Sequence, residues 1–424
     1  MISTPSGHAF GLTLTVRVST VREGVGLMGP VWGRRRLGAL VMAAAGALAV
    51  GTAAPAVAAE PVAGATPTTG VAPTTGVALP VPTGPHRVGA TSLHLVDSRR
   101  QDPWAPKPGP RELMVTVWYP ATAAAAWFPR ARYTTAKVGA EYDARFDVPA
   151  GSVAAVRPNA REKAPAIAAP GGLPVLLYSP GRGNSRITGT AVAEELASRG
   201  FVVVGVDHTH DSPTELPGGR FVPQSLPDPT PETLPAETRV RADDLGFVLD
   251  EITGARQPSV LAGRLDRSRI GAFGHSIGGA AAAELARTDA RVRAGADIDG
   301  TLWGAARGGL DRPFLLLTQE GPEESLTSFR ASHRAWGRQV LVGGAGHMSF
   351  VDPGVLATAY NLKDKWPADQ YQGVFGTIDG VRAAEVTRAY VTAFFDHHLR
   401  GGSSALLDAA SPRFPEARID WRRD

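Results

Sequence analysis

Short apolar runs alternate with segments of helical periodicity through residues 110–400 of the chain. Residues 113–119 alternate between apolar and polar positions, as an early strand does, and the run ends at Pro120. Residues 174–178 and 201–206 are continuous apolar runs rich in valine and leucine, which is typical of strands buried on both faces. Strands of that kind predict a sheet that is covered by helices above and below.

The same two patterns continue toward the C-terminus. Further apolar runs predict four more strands, of which the last three close the sheet: 268–273, 292–298, 313–318 and 339–342. Helical periodicity predicts four helices: 190–198, 242–252, 278–287 and 383–399. This alternation predicts an α/β protein with a mostly parallel sheet and helices on both faces. Two Pro-rich stretches, 121–172 and 211–236, interrupt it and predict loops or a partial cap over the strand ends, where sites in open α/β sheets lie.

The N-terminus has the organisation of an export signal. Arginines at 34–36 precede an apolar run rich in alanine and glycine that continues to about residue 54, and Ala-Val-Ala at 56–58 supplies the small-x-small pattern that a signal peptidase accepts. The run is too short and too weakly apolar for a membrane span. We therefore expect a signal peptide over residues 1–58, with Met28 as an alternative start, and a secreted protein with no transmembrane segment. Consecutive arginines resemble a twin-arginine signal, although a Sec signal fits the same pattern.

A duplicated hexapeptide of Pro, Thr, Gly, Val and Ala occupies residues 67–78. A stretch of this composition cannot bury a core, so it predicts a flexible linker over 59–85, followed by a folded domain over 86–424.

Composition and charge narrow the classes of function. Of the 424 residues, 43% are hydrophobic and 20% are charged, which is the balance of a globular protein with a large core. The formal net charge of +4 is carried entirely by the five arginines and one glutamate of residues 1–58. The remaining chain is neutral, so nucleic-acid binding is not expected. The absence of cysteine excludes disulfides, thiolate catalysis and cysteine-ligated metals.

The sequence Gly-His-Ser-Ile-Gly at 274–278 lies directly between a predicted strand and a predicted helix. A G-x-S-x-G motif alone is a weak signal, and an ordinary Gly-rich turn fits the same letters. In this context it favours a nucleophile elbow, in which a sharp strand-to-helix turn holds the serine in strained φ/ψ angles and the two glycines leave room for the turn. We therefore expect an α/β-hydrolase fold with Ser276 as the nucleophile of a catalytic domain.

A serine hydroxyl needs a base, and the base needs an orienting carboxylate. In this fold they follow in the order Ser, acid, His. His347 lies in a Gly-rich turn after a predicted strand and is the expected base. Asp299 follows the strand 292–298 and is the expected acid, while Glu320, after the next strand, is the alternative acid.

Acyl transfer also needs two N–H donors for the tetrahedral oxyanion. One is expected from the backbone of Ile277, the residue after the nucleophile. The other is expected from the backbone of Arg182, in the Ser-Pro-Gly-Arg-Gly loop at 179–183, whose glycines allow a close backbone approach.

The sequence Asp-His-Thr-His-Asp at 207–211 offers a competing interpretation, since two histidines flanked by carboxylates can ligate zinc. However, Asp211 is one position too early for an H-x-H-x-D-H motif, and no later His/Asp pair completes the site. We therefore expect no metal and no cofactor, and we expect this segment to form a polar wall or an outer layer of the site.

These motifs together resemble the platelet-activating-factor acetylhydrolase family (the plasma and isoform II type). The matching segments lie within roughly residues 110–350: 117–120, 179–183, 207–208, 274–279, 299–300 and the run His-x-x-Phe-x-Asp at 347–352. In that family the acid follows the first strand after the elbow. The resemblance implies an ester hydrolase with Ser276 as nucleophile, Asp299 as acid, His347 as base, and Arg182 and Ile277 as oxyanion donors.

The loop at 179–181 is also similar to that of secreted actinobacterial cutinases, lipases and polyester hydrolases, a group that favours Glu320 and normally has a cysteine pair that this chain lacks. The chain is thus expected to be a secreted serine carboxylic-ester hydrolase that acts through an acyl-enzyme. Its expected partners are small-molecule or lipid esters with short or oxidised acyl groups. The alternatives are a polyester hydrolase, a true lipase, an acyltransferase on the same triad and a catalytically silent binding module.

Overall fold

The computed structural model describes residues 76–254, 256–321 and 324–424. In these ranges the strands are β1 (Arg87–Gln101), β2 (Pro110–Ala121), β3 (Arg161–Glu162), β4 (Leu173–Ser179), β5 (Val202–Asp207), β6 (Thr214–Leu216), β7 (Arg220–Val222), β8 (Leu265–His275), β9 (Val292–Ile298), β10 (Phe314–Gln319), β11 (Gly337–Val342) and β12 (Ala417–Arg423). The α-helices of the same ranges are α1 (Ala136–Phe146), α2 (Thr190–Ser198), α3 (Leu234–Thr253), α4 (Ile277–Thr288), α5 (Glu324–Ser332), α6 (Asp352–Ala359), α7 (Leu362–Lys365), α8 (Ala368–Phe375), α9 (Gly380–Arg400) and α10 (Ala405–Asp408). Short 3₁₀ helices lie at Ala123–Trp127, Arg186–Gly189, Pro217–Gly219, Ser259–Leu261 and Gly304–Gly308.

Ten of these strands form one sheet in the order β12-β11-β10-β9-β8-β4-β5-β2-β1-β3. The central strands from β11 to β5 run parallel to one another. Antiparallel pairs occur toward the two edges, where β2 pairs with β5 and β1, and β12 pairs with β11. Because parallel strands need crossover connections, helices lie between most of the central strands along the chain, whereas β9 and β10 are joined through the short 3₁₀ helix Gly304–Gly308. The predicted α/β-hydrolase architecture, a mostly parallel sheet with helices on both faces, is confirmed.

Two hydrophobic layers cover the sheet. On one face, α3, α4 and α5 contribute buried side chains such as Val248, Ala281 and Phe329. On the other face, α2 and α9 contribute Leu196 and Phe394, among others. The inner strands are therefore buried on both sides, which explains why their sequences are continuous apolar runs instead of alternating patterns.

The sheet extends beyond the predicted strands at both edges. The strand at 339–342 is not the last one, because β12 pairs with it in antiparallel orientation. In β12 the positions Ala417, Ile419 and Trp421 alternate with charged and exposed residues. An edge strand that covers the core with one face alone carries a weaker hydrophobic signal than a central strand, so the search for continuous apolar runs missed it.

The Pro-rich stretch 121–172 contains a helix as well as loops. Helix α1 lies inside it, and its buried residues join α6, α7 and α8 in a third hydrophobic cluster that also includes Met348. Since Met348 follows the predicted base directly, this cluster lies next to the base loop. The stretch 211–236 contains the small hairpin of β6 and β7 before α3 begins.

Residues 76–85, the C-terminal part of the predicted linker, lie against the domain. Leu79 is buried and its N–H donates to the carbonyl of Arg157 over 3.1 Å. The hydroxyl of Thr83 donates to the carboxylate of Glu195 over 2.6 Å. The packed chain therefore begins before His86. The predicted signal peptide and the first part of the linker lie outside the described residues, and within the described ranges no helix combines the length and apolar character of a membrane span.

Candidate active site

Ser276 lies between the last residue of β8 and the first residue of α4. Its φ of 57° and ψ of −131° are far from the angles that L-residues with a side chain prefer. The backbone holds this conformation from both sides, since the N–H of Ser276 donates to the carbonyl of Ile298 and its carbonyl accepts from the N–H of Gly279, both over 2.9 Å. The hydroxyl is thus presented by a strained turn that neighbouring elements fix in place.

The glycines around Ser276 are required by close backbone contacts. A Cβ atom at Gly274 would overlap the backbone of Gly278, and one at Gly278 would overlap the carbonyl oxygen of Ser179. The turn therefore packs directly onto the start of the loop at 179–183, which explains the spacing of the G-x-S-x-G motif in this chain.

The imidazole of His347 contacts the carboxylate of Asp299, with Nδ1 2.7 Å from Oδ2. The second oxygen of Asp299 accepts from the N–H of Gln319 over 2.8 Å. Asp299 has a φ of 54°, an angle that aspartate tolerates better than most residues, and its side chain is 5% exposed. The carboxylate is thus held by two partners, and one of them is the predicted base.

Glu320, the alternative acid, is exposed at the end of β10. The carboxylate in contact with the imidazole is that of Asp299, which follows the neighbouring strand β9. The arrangement therefore favours Asp299 as the partner of the base.

His275 also belongs to the site, although the sequence analysis assigned no role to it. Its ring is buried, and its Nε2 donates to the backbone carbonyl of His347 over 2.8 Å. The two rings lie with their centroids 4.5 Å apart. Burial, together with the neighbouring His347, lowers the pKa of His275 well below its usual value, so the ring stays neutral. The only sequence signal was its place in the motif.

The loop at 179–183 lies beside the nucleophile. A Cβ atom at Gly181 would lie 3.4 Å from the Cβ of Ser276. The side chain of Arg182 points away to Glu237, with Nε 2.7 Å from Oε2, and its Nη2 donates to the carbonyl of Pro227. The backbone of Arg182, and not its guanidinium, is therefore the group of this residue that lies in the loop next to Ser276.

The segment at 207–211, for which we expected no metal, makes hydrogen bonds beside the site. Both ring nitrogens of His208 are engaged, Nδ1 with Asp244 and Nε2 with Ser179. Asp211 accepts from the N–H of Gly183 over 2.8 Å. In the ranges that the structure describes, no three or more His, Asp or Glu side chains are grouped to hold a metal ion.

A strained serine, a carboxylate-bound imidazole and a glycine loop converge on one end of the parallel strands. Groups of these types can carry out nucleophilic acyl transfer, in which the serine attacks a carbonyl, the imidazole moves the proton and backbone N–H groups hold the oxyanion.

A family model described as platelet-activating factor acetylhydrolase, isoform II, matches residues 71–215. The match includes the loop at 179–183 and strand β5. Among curated proteins, a probable 1-alkyl-2-acetylglycerophosphocholine esterase from Arthroderma benhamiae is 28% identical over 262 residues, which cover 58% of this chain and 65% of that protein. A platelet-activating factor acetylhydrolase from Cavia porcellus is 29% identical over 150 residues, or 30% of this chain and 34% of that one. The chain thus spans just under two thirds of the first of these relatives.

Among solved structures, a ferulic acid esterase from Streptomyces cinnamoneus is 40% identical, with a TM-score of 0.73. The similarity covers 82% of this chain and 100% of that one. The aligned region therefore spans the full length of a structurally characterised esterase.

Proposed function

The chain belongs to the platelet-activating factor acetylhydrolase, isoform II, family of α/β-hydrolases, and from that premise we propose that it is a serine carboxylic-ester hydrolase that works through an acyl-enzyme on Ser276. The observation that supports this proposal most directly is the 2.7 Å contact between His347 and Asp299, next to a serine in a strained elbow. The esterase names of the relatives agree with it.

In this mechanism the Oγ of Ser276 forms a bond to the ester carbonyl carbon while Nε2 of His347 takes the hydroxyl proton. The carboxylate of Asp299 holds the Nδ1 proton and stabilises the imidazolium. Backbone N–H groups of Arg182 and Ile277 bind the oxyanion. When the tetrahedral intermediate collapses, the alcohol leaves with the proton from His347. Water then attacks the acyl-enzyme by the same steps and releases the acid.

A fluorophosphonate probe tests this function. The native protein should be labelled at Ser276, as located by peptide mass spectrometry. The variant Ser276→Ala should lose both the label and ester hydrolysis, with kcat lower by about 10⁴ or more. The matched control is Ser268→Ala, which removes an exposed hydroxyl from β8, the strand that precedes Ser276. Near-normal turnover by Ser276→Ala would show that the nucleophile lies elsewhere, and an unlabelled native protein would indicate a catalytically silent module.

We further propose that the substrates are esters with short acyl groups. The support is the acetyl ester in the name of the Arthroderma benhamiae relative. The bulky residues that follow the candidate acid and base give little further support, because Leu302 and Phe350 pack into the two main cores and Met348 into the third cluster. Trp303 alone among them is half-buried.

A hydroxycinnamoyl ester is a second candidate substrate, because the ferulic acid esterase is 40% identical over most of this chain. Measured kcat/KM for p-nitrophenyl esters from acetate to palmitate, together with methyl ferulate, separates these classes. A maximum at short acyl chains supports the first proposal, and a preference for methyl ferulate supports the second. Rising values toward palmitate would indicate a lipase, and ester formation with an added alcohol would indicate an acyltransferase.

We also propose export with cleavage after residue 58. The support is the arginines at 34–36 followed by the weakly apolar run and the Ala-Val-Ala sequence. N-terminal sequencing of the protein from culture medium should begin at about residue 59, and an intact leader on a cytoplasmic product would contradict the proposal.

A further inference from the structure

Five polar side chains, one from the loop at 179–183 and four that lie next to this loop, are fully buried. We refer to Ser179, His208, Asp211, Arg241 and Asp244 as the buried cluster, and each is 0% exposed. They come from strand β4, the segment after β5, and helix α3. Burying ionisable groups costs free energy unless each has a partner, so we expect each group of the cluster to make hydrogen bonds or an ion pair.

One part of the cluster is a hydrogen-bonded chain that ends at the loop. His208 Nδ1 lies 2.9 Å from Oδ2 of Asp244, and His208 Nε2 lies 2.9 Å from Oγ of Ser179. Asp244 is an ionised acceptor, because Arg111 donates to both of its oxygens. Burial lowers the pKa of His208 to about 4, so the ring is neutral. Nδ1 therefore donates to Asp244, and Nε2 accepts from the hydroxyl of Ser179.

The other part of the cluster, Arg241 and Asp211, makes hydrogen bonds to the backbone of the loop. Nη1 of Arg241 donates to the carbonyl of Pro180 over 2.8 Å and to Oγ of Ser179 over 3.2 Å. Nη2 of the same guanidinium donates to the carbonyl of Gly181 over 3.4 Å. Asp211 pairs with Arg241 and accepts from the N–H of Gly183, so the same ion pair also fixes the far end of the loop.

The direction of these bonds matters for the candidate oxyanion donor. In a trans peptide the C=O and the N–H point to opposite sides of the chain. Arg241 holds the C=O of Gly181, so the N–H of Arg182, in the same peptide unit, is directed away from Arg241. Gly181 itself is close enough to Ser276 that its Cβ would lie 3.4 Å from that of the serine.

We propose that Arg241 and the chain Ser179–His208–Asp244 are positioning residues that orient the Gly181–Arg182 peptide so that its N–H binds the oxyanion. The inference rests on the proposed function, because it concerns a donor for the same reaction. An oxyanion donor is effective when it is held in place before the reaction begins, since no reorganisation is then needed in the transition state. A glycine-flanked loop has little rigidity of its own, and the buried cluster supplies it.

The first test removes one hydroxyl from the cluster. Ser179→Ala deletes the atom that joins His208 to Arg241 and changes the volume little. The matched control is Ser198→Ala, a fully buried serine of α2 whose hydroxyl donates to the carbonyl of Glu195 over 2.7 Å. The hydroxyl of Ser198 also accepts from the N–H of Gly84 over 3.0 Å, so each variant loses a buried hydroxyl that has two hydrogen-bond partners. Both should therefore lose a similar amount of stability, but only Ser179 belongs to the cluster.

Measurements of kcat, KM and the Ki of a transition-state analogue distinguish a positioning role from a purely structural one. The inhibitor is an aryl trifluoromethyl ketone, which adds to Ser276 and places an oxyanion in the position of the tetrahedral intermediate. Ser179→Ala should lower kcat by roughly 10- to 100-fold, less than the full loss of a donor. KM should change little, and the inhibitor's Ki should rise by the same factor as kcat falls. Ser198→Ala should leave kcat, KM and Ki unchanged.

Arg241→Lys is the second variant. It keeps the positive charge beside Asp211, but a single ammonium lacks the planar fork that reaches Asp211 and the carbonyls of Pro180 and Gly181 from separate nitrogens. The fall in kcat and the rise in Ki should therefore match each other, as in Ser179→Ala. If both variants retain native kcat and Ki, the inference is overturned while the proposed function stands. If instead Ser276→Ala stays active, the proposed function fails first, so the two failures are distinguishable.

Discussion

His275 Nε2 donates a hydrogen bond of 2.8 Å to the backbone carbonyl of His347, and the two rings lie 4.5 Å apart between centroids. The residue directly before the candidate nucleophile thus binds the backbone of the loop that carries the candidate base. The contact joins the end of β8 to the turn after β11, two strands that are not neighbours in the sheet.

Removing this contact should slow catalysis. His275→Ala frees the carbonyl of His347 and leaves a cavity beside its ring, so the imidazole should sample positions away from Ser276. We expect kcat to fall by about 10- to 100-fold with a smaller change in KM, since misplacement of a reacting group acts mainly on the transition state. His275→Gln, which keeps an N–H donor, should lose less. Equal kcat values for the native protein and His275→Ala, measured with p-nitrophenyl acetate, would contradict this expectation.

The choice between the two acids can be tested with isosteric amides. Asp299→Asn keeps the shape of the side chain but can hold the imidazole of His347 in the wrong tautomer, so kcat should fall by about 10³ to 10⁴. Glu320→Gln alters an exposed side chain and should change kcat by less than about threefold. The opposite ranking would indicate the arrangement of the cutinase-like enzymes.

The elbow glycine Gly278 offers a test of backbone crowding with an internal control. In Gly278→Ala the added methyl group would overlap the carbonyl oxygens of Ser179 and Pro180. We expect destabilisation by about 2 kcal/mol or more and a large loss of activity. Gly373, also in a helix, has no atom within 4 Å of a Cβ position. Gly373→Ala should therefore stabilise the protein by about 0.5 to 1 kcal/mol, and equal urea midpoints for both variants would refute the crowding argument.

The buried histidine His208 should make stability depend on pH. Its pKa is lowered to about 4 by burial, with the charge of Arg241 acting in the same direction, whereas an unfolded histidine titrates near about 6.5. The unfolded state therefore binds the proton more readily, and stability falls as the pH drops below about 6.5. His208→Gln removes this group from both states. Between about pH 7 and pH 5, the free energy of unfolding should fall by roughly 2 kcal/mol more in the native protein than in the variant. Urea unfolding at both values measures the difference, and parallel pH profiles would rule it out.

Much of the fold was predictable from local patterns. Helix α2 and strand β9 have the predicted bounds, 190–198 and 292–298, because glycine and polar residues close the helix and a continuous apolar run defines the strand. The parallel orientation of the central strands followed from the alternation of strands and helices along the chain. The edge strand β12 escaped prediction because half of its residues face solvent and contribute no apolar signal.

The sequence by itself predicted the sharp strand-to-helix turn at Ser276 and the chain order of the candidate serine, acid and histidine, because these depend on residue types at short spacing. The sequence left open which carboxylate contacts the base, since Asp299 and Glu320 follow adjacent strands. In the folded chain, the φ of 54° at Asp299 and the packing of the base loop bring its carboxylate to His347. The sequence also left open the purpose of His208, whose partners Ser179 and Asp244 are 29 and 36 residues away. Such contacts are invisible to local patterns, because the folded backbone alone decides which distant side chains share a buried volume and must satisfy one another's hydrogen bonds.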